Sequence, residues 1–404
     1  MTARPVVVMK FGGTSVATAG GRSALARRVV AARESNAAPV LVVSAMGRTG
    51  EPYATDTLLT LIEGLPTDER ERDLLASCGE IVSAVVVAHE LRAAGIAARA
   101  FTGAEAGIAT DGVYGSAAIT EVFPSALLDA INDGFVPVVA GFQGVARDGS
   151  LTTLGRGGSD TTACALGVAL NAEAVEIYTD VDGVMSADPR TCADASVLTV
   201  IRADELFQMA RHGSRVVHTP AAELALGSGL AVRVRNTFSD HPGTLVADIS
   251  AYQPKALATA ISNISGIARI RVALSAPEGS SEHMAAQARV YRAMADAAVS
   301  LDMFTPSDST LVFTIAEGDV PRACAVLERL SMDCDVLAGL AKVTVVGAGM
   351  HGVPGVMARV AESLADAGVN VLQTADSHTT ISVLLKEPAA GRAVEALHRS
   401  FALS

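Results

Sequence analysis

The chain predicts an α/β protein: a three-layer αβα domain with a mainly parallel sheet, followed by two smaller α+β units of βαββαβ form. Three observations carry this. Residues 1–245 alternate short apolar strands with Ala-, Leu- and Arg-rich stretches at helical period. The strands are nearly continuous in apolar residues, as in Val6-Val7-Val8, Leu41-Val42-Val43 and Val136-Pro137-Val138-Val139. Such runs suit a parallel sheet covered by helices on both faces. The remainder repeats itself at an offset of 70 residues.

Strands are expected at 5–9, 39–44, 97–101, 136–142, 174–178 and 231–235, with helices at 21–34, 69–94 and 160–170. A turn at His241-Pro242-Gly243 and a polar stretch to Lys255 close this first domain. In the repeat, residues 290–299 match 360–369, 310–317 match 380–387, and Arg322-Ala323 with Leu327 matches Arg392-Ala393 with Leu397. Units of this kind cover one sheet face with helices and commonly pair with a partner sheet or edge. In tandem they suggest a ligand-sensing module that also holds subunits together.

Composition narrows the function. The 404 residues allow roughly two or three domains. Half are apolar and 18% charged, enough for a sizeable core. A net charge of −12 argues against nucleic-acid and anionic-membrane partners and favours small molecules. Tryptophan is absent and aromatics make up 4%, which leaves no base-stacking platform. The five scattered cysteines show neither CxxC nor zinc-ligand spacing, so free thiols in a reducing compartment are expected. Cys78, beside Gly79-Glu80, reads as a small half-buried helix residue rather than a nucleophile. With no signal-like h-region and no apolar run of roughly 18 residues, a soluble, cytoplasmic protein is expected.

Three segments carry chemistry. Of the 31 basic residues only four are lysines, and Lys10 is the sole lysine before Lys255. It follows a strand and precedes Gly12-Gly13-Thr14-Ser15. A compact ammonium suits phosphate, paired glycines admit close approach, and N–H groups of a following helix bind phosphate oxygens. This is not a Walker A loop, because the lysine precedes the glycines. The second segment, Gly155-Arg156-Gly157-Gly158-Ser159-Asp160, runs from a Gly-rich loop into a helix. Ser159 or Asp160 is the expected N-cap by residue type, and the first turn with Arg156 makes an anion site. The third is Thr179-Asp180-Val181-Asp182-Gly183 at a strand's end, where open α/β sheets bind ligands. Asp180 and Asp182 could contact a nucleotide or Mg²⁺; the EF-hand reading fails for want of a glutamate at its twelfth position. Gly347-Ala348-Gly349-Met350-His351-Gly352 has dinucleotide-fingerprint spacing, yet too little chain follows it, so a tight turn is expected. His218, His351 and His378 do not cluster in sequence, and no metal site is proposed.

These motifs in this order, with Val42-Val43-Ser44-Ala45-Met46-Gly47, Ser186–Arg190 and the tandem repeat, closely resemble the aspartate kinases (aspartokinases) over nearly the whole chain. The resemblance implies an amino-acid kinase domain (1–245), a linker (246–256), and two ACT domains. The first ACT domain (266–340) would be inserted in the second (257–265 and 341–404). Residues 47–59 and 375–380 look most like the diaminopimelate-sensitive Gram-positive type. The implied activity is ATP-dependent phosphorylation of the L-aspartate β-carboxylate, the first step of lysine/diaminopimelate, threonine and methionine biosynthesis, with Mg²⁺ carried by the nucleotide. Lys10, Asp160 and Arg156 would be catalytic. Ser44, Ala45, Glu80, Arg156 and Ser159 would bind substrate, Glu80 taking its ammonium and Arg156 a carboxylate. Lys10, Gly12, Gly13, Thr14, Ser15, Thr179, Asp180, Arg190 and Arg215 would serve the nucleotide. Arg215, in Gly213-Ser214-Arg215-Val216-Val217-His218-Thr219-Pro220, stands where the family usually has lysine. A homo-oligomer (dimer or tetramer) through the ACT domains is implied. So is feedback by diaminopimelate, lysine, threonine or methionine at loops 275–283 and 375–380. The competing expectations are another amino-acid kinase of this fold and a regulatory ACT-bearing subunit.

Overall fold

The computed structural model describes residues 4–214, 227–247, 256–274, 280–306 and 309–403. Arg215 and His218, and residues 275–279 of the first expected effector loop, lie outside them. The chain divides into two compact units. The first holds residues up to Val184 together with Val197–Ala210 and Arg215–Gln253; the second holds Met185–Ser196, Arg211–Ser214 and Pro254–Ser404. Two short pieces that precede residue 245 thus pack with the second unit.

Among the described residues the strands form three sheets. In the first unit eight strands run in the order Val200–Arg202, Thr244–Ala247, Ala231–Asn236, Ala174–Thr179, Val6–Phe11, Ala38–Val43, Val136–Ala140 and Ala98–Phe101. Every neighbouring pair is parallel except Ala231–Asn236 with Thr244–Ala247. Met9, Phe11, Leu41 and Val43 share a core with Val87 and Leu91 of helix Glu69–Ala93. Val8, Val40 and Val42, of opposite parity, are equally buried, and helix Gly158–Ala169 also packs on this sheet. Two buried faces explain the unbroken apolar runs. From Val6–Phe11 the chain proceeds to strands on one side and later returns to Ala174–Thr179 on the other. Lys10 therefore sits at a switch point, at the carboxyl end of its strand.

The expected strand 136–142 ends at Ala140. Phe142 has a left-handed φ of 69°, and Gln143–Val145 joins a separate four-stranded sheet with Ile108–Thr110, Ile119–Val122 and Leu151–Thr153. Helix Glu69–Ala93 is long and apolar enough to cross a membrane by composition, but half of its most apolar stretch is buried inside the protein and it carries the buried Asp73 and Glu80.

The second unit has one six-stranded antiparallel sheet, in the order Asp302–Pro306, Thr310–Ala316, Ala260–Ala273, Cys334–Val346, Thr380–Lys386 and Gln373–Asp376. Ala260–Ala273 is continuous through both repeats: 260–264 pair with 342–346, and 267–272 pair with 334–340. A bulge between Ile264 and Ile267 resets which residues face the helices. Helices Ser281–Asp296 and Val320–Arg329 cover a core of Ile270, Val290, Phe313 and Leu327. Helices Val356–Asp366 and Ala390–Ser400 cover one of Val343, Val360, Val383 and Leu397. A small cluster of Met303, Leu340 and Leu384 lies apart from both.

Lys342, one of the four lysines, is 6% exposed and pairs with Asp302. The segment 347–352 is a tight turn containing the 3-10 helix Ala348–Met350. His351 and His378, far apart in sequence, meet here with Nδ1 atoms 2.9 Å apart.

Candidate active site

Lys10 is the penultimate residue of its strand, so its side chain reaches the sheet's carboxyl edge. Its Nζ lies 2.7 Å from Asp160 Oδ1, and both side chains are nearly buried at 13% and 10% exposure. The next residues form a short helix, Gly13–Ala17. Gly13 is required by close approach: a Cβ there would stand 2.7 Å from the carbonyl oxygens of both Ala45 and Gly47. Gly13→Ala should therefore displace the turn that follows Lys10. Thermal unfolding should report a loss of about 1–3 kcal/mol, and steady-state kinetics a raised KM for nucleotide. Ser15 is fully buried and its hydroxyl meets that of Thr237 at 2.7 Å, so it braces the turn.

Asp160 is set by the Gly-rich loop. The N-cap of helix Gly158–Ala169 is Gly157 at φ 68°, not Ser159 or Asp160. The left-handed backbone there favours glycine over any side-chain cap. Ser159 and Asp160 fall instead in the first turn, where both are buried and line a cleft. The cleft has a volume of about 370 Å³. It brings together Lys10, Ser44, Glu80, Arg156, Ser159 and Asp160 from four separate stretches of chain. Ala45 joins them through its backbone, its N–H donating to Glu80 Oε1 at 3.1 Å.

Glu80 has a strongly perturbed environment. It is 4% exposed, and Oε2 is buried without a hydrogen-bond partner among the described residues. Burial pushes its carboxyl up to about 7, against the Ala45 N–H and the nearby Thr55 hydroxyl, which favour the charged form. Arg156 is exposed at the cleft and makes no hydrogen bond or ion pair among the described residues. An unsatisfied acceptor, a free guanidinium and an ammonium–carboxylate pair in one cleft suit a ligand carrying both an ammonium and carboxylates.

At the neighbouring strand end, Thr179 donates to Asp180, whose other oxygen accepts from Arg48 at 3.0 Å. Asp182 accepts from Ser239 and Asn236, which hold its carboxyl below the usual range. Gly12 donates to the Tyr178 carbonyl at 3.3 Å, joining the Lys10 turn to this end. Thr14, in that same turn, is half-buried. Arg190 is not among the cleft residues: it belongs to the second compact unit, is exposed, and is bidentate to Asp188 at 2.7–3.2 Å. Cys78 donates its thiol to Leu74 O one helical turn earlier. Among the described residues no group of three or more His, Cys, Asp or Glu could hold a metal ion.

Sequence reasoning missed Thr55, Asp56, Arg72, Asp73 and Phe142, all of which line the cleft. Phe142 is a bulky residue with positive φ, the kind of local strain that collects at functional sites. Asp73 could have been found, since it precedes Glu80 by seven residues and so shares its helical face.

Comparison with known proteins agrees with this geometry. Residues 5–236 match the model of the amino acid kinase family, and residues 336–399 match an ACT domain. Aspartokinase 1 of Bacillus subtilis is 41% identical over 99% of both chains. The crystal structure of E. coli aspartokinase III with aspartate and ADP (R-state) superposes with a TM-score of 0.79 at 26% identity, covering 98% of this chain and 99% of that one. Its complex with lysine and aspartate (T-state) matches equally. With a family match over more than half its length and full-length likeness to enzymes of one kind, this chain belongs to the amino acid kinase family and, within it, to the aspartokinases.

Proposed function

We propose that this cleft transfers the γ-phosphoryl group of ATP to the β-carboxylate of L-aspartate, giving 4-phospho-L-aspartate and ADP. The observation that carries the reading is Glu80, a buried carboxylate with an unpartnered oxygen, in the same cleft as Lys10 and Arg156. The acceptor carboxylate has a solution pKa near 3.9 and is ionised at neutral pH, so no general base is required. A β-carboxylate oxygen bonds to phosphorus as the bond to the ADP oxygen breaks. Catalysis then reduces to alignment and charge neutralisation.

In this reading Glu80 takes the α-ammonium and Arg156 a carboxylate, with Ser44, Ala45 and Ser159 alongside. Lys10, oriented by Asp160, neutralises charge on the transferring group. Gly12, Gly13, Thr14, Thr179 and Asp180 face the nucleotide. Mg²⁺ arrives on the nucleotide phosphates, since Asp160 and Asp180 are each engaged by a cation. The enzyme would work in the cytoplasm as a homo-oligomer joined through its ACT domains. It would open the lysine/diaminopimelate, threonine and methionine branches under feedback by one of those amino acids. The lysine-bound E. coli relative supports such an effector.

The test is ADP release by the full chain with and without L-aspartate, the acyl phosphate being trapped with hydroxylamine. Aspartate-dependent ADP and hydroxamate in equal amounts are expected. Release that answers instead to glutamate or an N-acylated glutamate would replace the acceptor assignment.

A further inference from the structure

Helix Glu69–Ala93 turns Asp73, Ala76 and Glu80 toward the cleft. Under the reading above, Glu80 holds the substrate ammonium. Asp73, two turns earlier, is 2% exposed and fully engaged by protein. Its carboxylate accepts from the Gly115 N–H at 3.0 Å to each oxygen, from the Thr153 N–H at 2.7 Å, and from the Thr153 hydroxyl at 2.8 Å. Thr153 ends the strand Leu151–Thr153 and lies three residues before Arg156. Gly115 belongs to the adjoining loop, on which Gly155 rests: a Cβ at Gly155 would stand 3.3 Å from the Gly115 carbonyl. The Ala117 N–H closes the frame by donating to Thr153 O at 2.9 Å.

One buried carboxylate therefore bolts the loop that carries Arg156 to the helix that carries Glu80. The two backbone N–H groups can only donate, and the Thr153 hydroxyl donates here. An amide can keep its oxygen on the Thr153 N–H, but it sets its NH₂ against the Thr153 hydroxyl and one of the two Gly115 contacts, so it loses the charge and part of the bolt.

We propose that Asp73 is a positioning residue that fixes Glu80 and Arg156 in one frame, so anchoring the substrate α-carbon and selecting an acceptor of aspartate's length. This rests on the aspartate-kinase reading. With ammonium and α-carboxylate both anchored, the β-carboxylate falls at a set distance along the chain, beside Lys10. A loosened frame lets the α-carbon retreat, and an acceptor one methylene longer then reaches the same point. Discrimination of a single methylene is worth about 10- to 200-fold, and that is the quantity Asp73 protects.

The test compares wild type, Asp73→Asn, Thr153→Val, Arg156→Gln and the Asp73→Asn/Arg156→Gln double variant. KM and kcat are measured for aspartate and glutamate, and amide hydrogen exchange over residues 151–158. Asp73→Asn should raise the aspartate KM about tenfold or more and cut the aspartate-to-glutamate preference about tenfold. Thr153→Val, which removes one of the bonds, should do so in smaller measure. Added to Arg156→Gln, Asp73→Asn should change the aspartate KM little, because its effect runs through that loop. Exchange over 151–158 should quicken in Asp73→Asn. Unchanged exchange, an unchanged preference with only a lowered Tm, or fully multiplicative effects in the double variant would overturn the proposal. A wild type with no aspartate-dependent turnover would instead remove the acceptor reading, while the exchange data still decide whether Asp73 bolts the loop.

Discussion

Lys10→Ala should lose about a thousandfold or more in kcat while remaining folded. Removing one donor that stabilises developing charge costs about 10²–10³, and cationic groups in phosphoryl transfer reach 10³–10⁵. Two features place Lys10 toward the upper end. It is the only lysine in the first 254 residues, and its ammonium is the close partner of Asp160 in a nearly dry site. The alanine variant therefore loses a cation and leaves the Asp160 charge without it, so two anionic reactants meet an added negative charge. Lys10→Arg should recover only part of the loss, since a planar guanidinium cannot take the place of a compact ammonium beside Asp160. Steady-state ADP release checks this. A Lys10→Ala enzyme within tenfold of wild type would remove Lys10 from the chemistry.

Glu80→Gln should weaken aspartate about a hundredfold or more with little change in nucleotide affinity, because removing one partner of a desolvated charge pair costs about 2–5 kcal/mol. The same substitution should stabilise the unliganded protein at pH 8. Glu80 holds its proton to about pH 7 in the fold, against an ordinary glutamate value of 4.5. Between those values the native state binds more protons than the unfolded chain, so stability falls as pH rises through that window. It stays lowered above pH 7, by something on the order of 3 kcal/mol. Glutamine has no such slope. A paired pH effect follows for function: the ammonium needs the ionised carboxylate, so the aspartate KM should rise as pH drops below 7 and level off above it. Urea unfolding at pH 5 and 8, and aspartate KM between pH 5.5 and 8.5, measure the two sides. A flat KM profile would mean that Glu80 does not receive the ammonium.

How much of this was legible in the sequence follows from what each element buries. The parallel strands announced themselves because both faces are covered, leaving no polar alternation to confuse the reading. The four-stranded sheet did not, since its strands are three or four residues long and bury Thr110, Gln143, Thr152 and Thr153. Lys10 stood out by composition and Arg156 by its glycines. Arg72 and Asp73 were hidden in Glu69-Arg70-Glu71-Arg72-Asp73, a charge run that normally marks a solvated face. Only the helix's three-dimensional placement turns two of those charges into the cleft wall. The meeting of His351 and His378 was likewise invisible, because a turn and a hairpin had to converge first.

The strand Ala260–Ala273 has a kinetic corollary. Its first residues must wait for partners at 342–346, some eighty positions later, and everything between them belongs to the other repeat. Closing so long a loop is entropically slow unless the intervening chain has already collapsed. The inner repeat, whose pairings are more local, should therefore form first and bring the ends of the outer one together. Refolding would then be an ordered sequence in which damage to the inner core, at Phe313 or Ile270, delays both halves, whereas damage at Val383 delays only the last.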